Sequence, residues 1–338
     1  MHALSIVDDP HFNALIAVLD PRVVLPCRST ITNTDLPILY KEAVQKLSEE
    51  LSRVEFVALT SDSWTCRNNR HYLTVTVHFV NFDMKLVSRV LVTVHMDESC
   101  TCENLASRLK EIAKEWGIMD KVIAVVTDNA ANMVGAVNLI SSTHPGWRQI
   151  PCFAHTLSLV VKGSILKNIE FSSIVTRARA IVTFFHQSTK ATAKLAALCK
   201  EQTKKVLQQD VETRWNSTLI MISSLLELKE FVQDALCSPV INRKDLDLTD
   251  FEWETLYTSM GLLLPFEELT RDLSSQLYPS LSKVVPSVKL IQNFLATISP
   301  VTYAPCLIEL IESLREEMNR RFGVFNTAHL ISTYLDPR

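Results

Sequence analysis

The sequence predicts an α/β fold in which a mixed β-sheet is followed by a long all-helical region. Between residues 56 and 127 the apolar residues form short runs and strict alternations, which are typical of buried and half-buried strands. After residue 152 this strand pattern ends, and the apolar residues recur at helical spacing. The length of 338 residues and the hydrophobic fraction of 47% allow a sizeable core and more than one structural unit.

Three consecutive strands open the predicted sheet. They are FVALTS at 56–61, YLTVTVHFV at 72–80 and KLVSRVLVTVHM at 85–96, and all three are rich in β-branched or aromatic residues. The links between them, CRNNRH and NFDM, are short and polar. We therefore expect these strands to pair in antiparallel fashion.

A helix and a fourth strand follow. The segment TCENLASRLKEIAKEWGI has one apolar face, with Thr101 as a cap and Gly117 as a stop, and it leads into VIAVVT at 122–127. Because a helical crossover permits parallel pairing, the first and fourth strands can lie side by side. Asp62 and Asp128, which follow these two apolar runs, would then meet at one edge of the sheet. A further helix is predicted at 129–141.

Helices are predicted for most of the remaining chain. Residues 13–56 suggest helices, apart from the turn-rich stretch LDPRVVLPCRST, and helical patterns fill the chain beyond residue 152. Thr249 and Glu252 fit a capping box, Pro305 a first helical position and Gly323 a C-terminal cap. Pro265 is expected to kink or break its helix.

The composition excludes several classes of protein. There are 34 Lys and Arg against 37 Asp and Glu, so no global basic excess indicates nucleic-acid binding. The eight cysteines are scattered, which indicates reduced thiols and an intracellular protein. There is no secretory leader pattern and no apolar run of 18 residues, so no membrane association is expected. None of the six glycines forms a phosphate-binding loop.

Asp62 and Asp128 are the candidate metal ligands. Two carboxylates at neighbouring strand ends suit a hard divalent cation, Mg²⁺ or Mn²⁺. Two-metal phosphoryl transfer requires at least one further carboxylate. The alternative is an ordinary strand end at Asp62 and a helix cap at Asp128, and spacing alone leaves both interpretations open.

Cys152 and His155 form a C-x2-H pair. Structural zinc needs four ligands, and no second pair stands at finger spacing, so no zinc is expected within this chain. The alternative is a buried thiol and a hydrogen-bonded histidine at the start of an apolar helix.

The region 177–214 is locally basic. Such a stretch either contacts nucleic-acid phosphates or forms a solvated helical face, and composition does not separate these interpretations. Trp215 opens a strongly apolar helical pattern, which favours a packing role over base stacking. The candidate DNA contacts are Lys194, Lys204, Lys205, Arg214 and Trp215.

Six motifs occur in a characteristic order along the chain. They are LTSDSWT, YLTVTVHFV, VTDNAANM, CFAHTLSLVV, DVETRWNST and the terminal TYLDPR. In these motifs the sequence resembles the hobo/Activator (hAT) superfamily of transposases, and in particular their domesticated relatives, the BED-type zinc-finger proteins.

The resemblance implies a ribonuclease-H-like mixed-sheet core interrupted by a large all-helical insertion domain. The implied segments are a helical lead-in at 1–55, the core at 56–165, the insertion at 166–328 and the start of the returning core at 329–338. Asp62 and Asp128 match the first two acids of the family's DDE triad, which bind catalytic metal. Cys152 and His155 match the family's motif beside the active site, and Trp215 matches a tryptophan used at the DNA hairpin step.

The sequence also departs from the family pattern. The third acid, the C-terminal dimerisation segment through which family members form homodimers and the BED finger are all expected outside these 338 residues. Glutamates such as Glu309, Glu312, Glu316 and Glu317 are expected on a charged helical face, where they are poor substitutes for that acid.

Three functions follow as hypotheses. The first is a nuclear, transposase-derived scaffold that binds DNA weakly, or binds proteins, in transcription regulation without catalysis. The second is part of an active transposase that performs metal-dependent strand cleavage and transfer. The third is a structural remnant without retained activity.

Overall fold

The computed structural model describes residues 3–66, 68–199, 205–211, 214–274, 278–299 and 303–337. The chain forms two compact units, Met1–Ile150 and Pro151–Arg338. No helix within the described residues is long and apolar enough to cross a membrane.

Helices lead into the first unit. Helix α1 spans Pro10–Leu19, and α2, Arg28–Thr30, continues through a π-helical turn into α3, Leu36–Arg53. Buried side chains in these three helices occur only in α3, at Leu47 and Leu51, which join the core of the sheet. The predicted helix extended to residue 56 but ends at Arg53, where the backbone becomes extended before the first strand.

Five strands form the sheet in the order β3-β2-β1-β4-β5. The strands β1, β2 and β3 pair in antiparallel fashion, and β1 pairs with β4 in parallel, so the predicted topology is confirmed. Their bounds are Val57–Thr65 for β1, His71–Val80 for β2, Leu86–Met96 for β3, Val122–Thr127 for β4 and Gln149–Pro151 for β5.

The sheet differs from the sequence prediction in two places. Strand β1 continues four residues beyond the apolar run, because β2 begins at His71 and pairs with residues 62–65. Asp62 therefore lies inside a strand and not at its end. Strand β5 was not predicted, because three residues that end in proline give no periodic signal.

One face of the sheet is buried against two helices. Helix α4 spans Cys102–Glu115 and α5 spans Ala131–Ser141, and both contribute buried apolar residues to the cluster that includes the inward residues of β1 and β2. The Thr101 hydroxyl accepts a hydrogen bond from the Asn104 N–H, which confirms the predicted cap. Gly117 has φ +64°, the left-handed conformation that ends a helix at low cost.

Nine α-helices occur in the described part of the second unit, and the first eight of them share one apolar core. Their bounds are Phe153–Lys167 for α6, Ile169–Gln187 for α7, Thr189–Cys199 for α8, Trp215–Glu227 for α9, Lys229–Cys237 for α10, Asp250–Leu273 for α11, Val284–Thr297 for α12, Pro305–Phe322 for α13 and Thr327–Leu335 for α14. The predicted capping box at Thr249, the start of α13 at Pro305 and its cap at Gly323 are confirmed.

One expectation about this unit is wrong in part and another is wrong. Helix α11 is not broken at Pro265, because the buried Leu262, Leu263 and Phe266 hold both sides of the proline in the core and offset one missing backbone hydrogen bond. A kink at Pro265 stays a prediction. Glu317 does not lie on the exposed charged face of α13. Its side chain is only 4% exposed, because three basic residues surround it.

Candidate metal centre and nucleic-acid interface

Asp62 and Asp128 occupy matching positions on neighbouring parallel strands. Ser61 of β1 is in register with Thr127 of β4, and each aspartate is the next residue along its strand direction. Because side chains alternate between the faces of a sheet, the Asp62 carboxylate leaves on the face opposite Ser61. Asp128 directly follows Thr127, the last residue of β4. Neighbouring strands lie about 4.8 Å apart. The register therefore brings the two residues to neighbouring positions, as the crossover predicts, and the meeting of their carboxylates stays a prediction.

The two aspartates have few structural contacts among the described residues. Asp62 is exposed and pairs with Thr74 of β2 in mid-strand. Asp128 is half-buried, and its Oδ1 accepts one long hydrogen bond, 3.3 Å, from the N–H of Ala130. Ala130, not Asp128, is the N-cap residue of α5, so the helix-cap interpretation of Asp128 does not hold.

The pair fits one hard divalent cation better than two. Two carboxylates supply oxygen ligands, and the solvent-facing side leaves positions for water or phosphate oxygens. Among the described residues, no group of three or more histidine, cysteine, aspartate or glutamate side chains is arranged to hold a metal ion. These residues therefore supply two carboxylates, and a second metal ion would need further ligands.

A row of aromatic side chains continues on the same face as Asp62. Trp64 stacks on Tyr72 with ring centroids 4.7 Å apart, and Tyr72 meets His95 edge to face at 5.4 Å. No local sequence pattern indicates this row, since its three members come from three strands. Trp64 is 44% exposed, so the row forms an accessible aromatic surface beside Asp62.

Cys152 and His155 lie at the start of α6. Cys152 is the N-cap residue, and its carbonyl accepts hydrogen bonds from the N–H and the hydroxyl of Thr156. The thiol is half-buried and not fully buried as expected, and the His155 ring forms no side-chain hydrogen bond within the described part of the chain. No metal-ligand group among the described residues includes them.

The basic region 177–214 is partly neutralised within the helical unit. Arg177 pairs with Glu252 and also donates to the carbonyl of Asp247. Arg179 binds Asp210 at 2.7 Å, and Lys205 binds Glu227 at 2.6 Å.

Fewer basic side chains are available to contact DNA phosphates than the sequence suggests. Lys190, Lys194 and Arg214 form no ion pair with the residues that the structure describes, and Lys190 and Arg214 are exposed while Lys194 is half-buried. Lys200 and Lys204 lie outside the described residues.

The buried carboxylate of Asp210 is the reason that Arg179 stays paired inside the helical unit. Burial alone would raise the pKa of its carboxyl, but hydrogen bonds from Arg179 and Thr218 hold that pKa below its ordinary value. The carboxylate is fully buried and charged, so Arg179 is its necessary partner.

Trp215 is a packing residue in this structure. It is 4% exposed within the core of the helical unit, as the apolar pattern of α9 predicted. Its indole N–H has no hydrogen-bond partner within the described residues. Contact with DNA through this ring would require α9 to expose it.

Comparison with known proteins identifies the family. Two family models match consecutive parts of the chain: the ZBED1 RNase-like domain matches residues 60–145, and the ZBED1 RNase-like helical domain matches residues 150–260. Together they cover more than half of the 338 residues. The chain belongs to the hAT transposase superfamily.

The relatives of this hAT chain include host proteins and a transposase. It is 28% identical to human "Zinc finger BED domain-containing protein 4" over 99% of the chain. It is 27% identical over 87% of the chain to "Putative transcriptional regulator tpeD" of Talaromyces stipitatus. It is 25% identical over 80% of the chain to the "Transposable element Hobo transposase" of Drosophila melanogaster. The matches cover 29%, 38% and 39% of these relatives, so the chain corresponds to only part of each.

The comparison and the structure agree on the hAT fold. The RNase-like model extends from within β1 to beyond α5, and the helical model begins one residue before the second compact unit. The expected ribonuclease-like mixed sheet with a large helical domain is therefore confirmed.

Proposed function

We propose that this hAT-derived chain is a nuclear scaffold that binds DNA in transcription regulation and holds one divalent cation between Asp62 and Asp128. The register of β1 and β4 supports the metal assignment, since Asp62 and Asp128 each follow the paired residues Ser61 and Thr127 on neighbouring parallel strands. Bound Mg²⁺ or Mn²⁺ would supply a positive charge to which phosphate oxygens can coordinate. Protein partners of such a scaffold fit the same proposal.

Binding is favoured over strand cleavage by the ligand set. Cleavage with two metal ions needs ligands for both, and the described residues group no third acidic side chain with the pair. One ion held by two carboxylates can anchor a phosphate without stabilising both the attacking and the leaving oxygen. We therefore expect affinity for nucleic acid without efficient turnover.

The proposed DNA surface lies on the helical unit. Lys194 and Arg214 have no acidic partner among the described residues, so their charges can be neutralised by phosphate. Phosphate contacts give affinity that is independent of sequence and that falls with salt. The fungal relative's name supports a role in transcription, and the names of the transposase relatives support a nuclear location.

The metal site is tested with Mn²⁺. Free Mn²⁺ is measured by electron paramagnetic resonance during titration of the parent chain and of Asp62→Asn, Asp128→Asn and Asp120→Asn. Asp120 is an exposed aspartate in the turn before β4 and serves as the matched control. We expect the parent and the Asp120 variant to bind Mn²⁺ and the other two variants to lose that binding. Equal binding by all four proteins would refute the site.

DNA binding is tested by fluorescence anisotropy with a labelled duplex at two salt concentrations. Lys194→Glu and Arg214→Glu should weaken binding, whereas Lys289→Glu, an exposed lysine on α12, should leave it unchanged. Absence of salt-dependent binding in the parent would exclude the DNA surface.

Two alternatives remain as outcomes of these tests. Nicking of supercoiled plasmid that requires Mn²⁺ and disappears in Asp62→Asn would favour a working part of a transposase, an alternative that the register of the two acids also supports. A parent chain that binds neither Mn²⁺ nor DNA would favour a structural remnant.

A further inference from the structure

A buried hydrogen-bond chain lies directly beneath Asp128. Thr127, the last residue of β4, is 1% exposed, and its hydroxyl donates to the main-chain carbonyl of Asp128 at 2.8 Å. The same hydroxyl oxygen accepts a hydrogen bond of 3.2 Å from Nε2 of Gln149 on β5. Both hydrogen bonds of Thr127 can form at the same time, since a threonine hydroxyl can donate one bond and accept another.

Asp128 needs such a support because the sheet ends before it. The last residue of β4 in the parallel ladder is Thr127, in register with Ser61, so the ladder does not fix the peptide that follows Asp128. Among the described residues, the only hydrogen bond to the carboxylate is the long one from the Ala130 N–H. The hydroxyl of Thr127 therefore supplies a short hydrogen bond at this position.

The short strand β5 gives Gln149 its place. The Val125 N–H donates to the carbonyl of Arg148 at 2.8 Å, which fixes the residue before Gln149 against β4. This fixed backbone brings the amide of Gln149 to Thr127 from the neighbouring strand. Strand β5 thus positions the Gln149 side chain in addition to extending the sheet.

We propose that Thr127 and Gln149 are positioning residues, which hold the main chain of Asp128 so that its carboxylate stays beside Asp62. This inference rests on the proposed metal site. Hydrogen bonds that orient a ligand residue affect metal affinity about tenfold or more when they are removed. No local sequence pattern indicates this role, since Thr127 ends an apolar run that is typical of a strand.

The test distinguishes the effect of the Thr127 hydroxyl from the effect of the side chain's shape. In the full chain, Thr127→Val keeps the branched shape and removes the hydroxyl, Thr127→Ser keeps the hydroxyl, and Gln149→Met removes the amide donor. Two quantities are measured for each variant: Mn²⁺ affinity by electron paramagnetic resonance, and hydrogen exchange of the amides at residues 128–130 without metal. Exchange at Leu109 in α4 reports whether global stability has changed.

We expect Thr127→Val and Gln149→Met to weaken Mn²⁺ binding about tenfold and to accelerate exchange at 128–130 but not at Leu109. Thr127→Ser should behave like the parent in both measurements. If the parent binds no Mn²⁺, the proposed metal site fails, and the exchange data alone decide the positioning role. Exchange at 128–130 that is unchanged in Thr127→Val would overturn the inference, whether or not metal binds.

Discussion

Acidification should destabilise the helical unit through one buried carboxylate, Glu317. This side chain lies in α13 and is held by Lys167 at 2.7 Å, by Arg321 at 3.0 Å and by Arg320. Hydrogen bonds from these residues, above all from Arg320, outweigh the effect of burial and lower the pKa of Glu317 from the ordinary value of 4.5 to about 2.

The size of the effect follows from that difference in pKa. One pKa unit corresponds to about 1.4 kcal/mol, so the charged form of Glu317 contributes about 3 kcal/mol to the free energy of unfolding. Because the folded-state pKa is lower than the unfolded-state value, this contribution is present above pH 4.5. It is lost as the pH falls from about 4.5 to about 2.

The assay is urea unfolding of the parent, Glu317→Gln and Glu316→Gln at several pH values between 7 and 2. At pH 7 the Glu317 variant should be less stable than the parent by up to about 3 kcal/mol, and the two should converge toward pH 2. Glu316 is the exposed neighbour on the same helix, so its variant should follow the parent. A constant difference between parent and Glu317→Gln across this range would refute the reasoning.

Three further substitutions have defined outcomes, each read from the urea-unfolding free energy. Arg179→Ala leaves the buried carboxylate of Asp210 without its cation and should cost about 3–5 kcal/mol; an unchanged value would mean that this carboxylate finds another partner. Ser61→Ala removes a buried hydroxyl that has no hydrogen-bond partner among the described residues, so the free energy of unfolding should fall by less than about 1 kcal/mol. A larger loss would mean that this hydroxyl has a partner. Thr101→Ala should cost about 1 kcal/mol, and Thr101→Ser should restore the parent's stability if the cap is the cause.

The sheet was predictable because its pairing follows from chain connectivity. Short polar links after β1 and β2 require antiparallel neighbours, and the crossover through α4 permits β4 to join β1 in parallel. The end of β1 was not predictable from its own residues, since residues 62–65 lie beyond the apolar run and are held in the strand by β2. Strand β5 depends in the same way on its neighbour and not on its composition.

The candidate site was predictable in part for the same reason. The two aspartates follow apolar runs, so the register of the strands brings them together. The supporting contact from Gln149 to Thr127 joins residues 22 positions apart on different strands, and no local pattern indicates it. The ion pairs of Arg177 and Glu317 likewise join helices that are distant in sequence, and that of Arg179 joins α7 to an irregular segment. These distant partners are why charged residues of the helical unit were misjudged as surface.

These internal pairs set a limit on the affinity of the helical unit for DNA. In B-DNA each neutralised phosphate contributes about −0.9 to the slope of log K against log salt. Lys190, Lys194 and Arg214 are without an ion pair in the described part of the region, so contacts from these residues alone should give a slope of about −3. Arg177 and Arg179 should add nothing, since their release would leave Glu252 and Asp210 uncompensated.

The salt dependence of anisotropy therefore tests the assignment of charges. If Lys200 and Lys204, which lie outside the described residues, also contact phosphate, the slope should approach about −4.5. Arg214→Glu should then reduce its magnitude by about 1, and Arg179→Lys should leave it unchanged. A slope steeper than −4.5, or one that Arg179→Lys alters, would mean that internally paired cations reach the DNA and that the helical unit rearranges on binding.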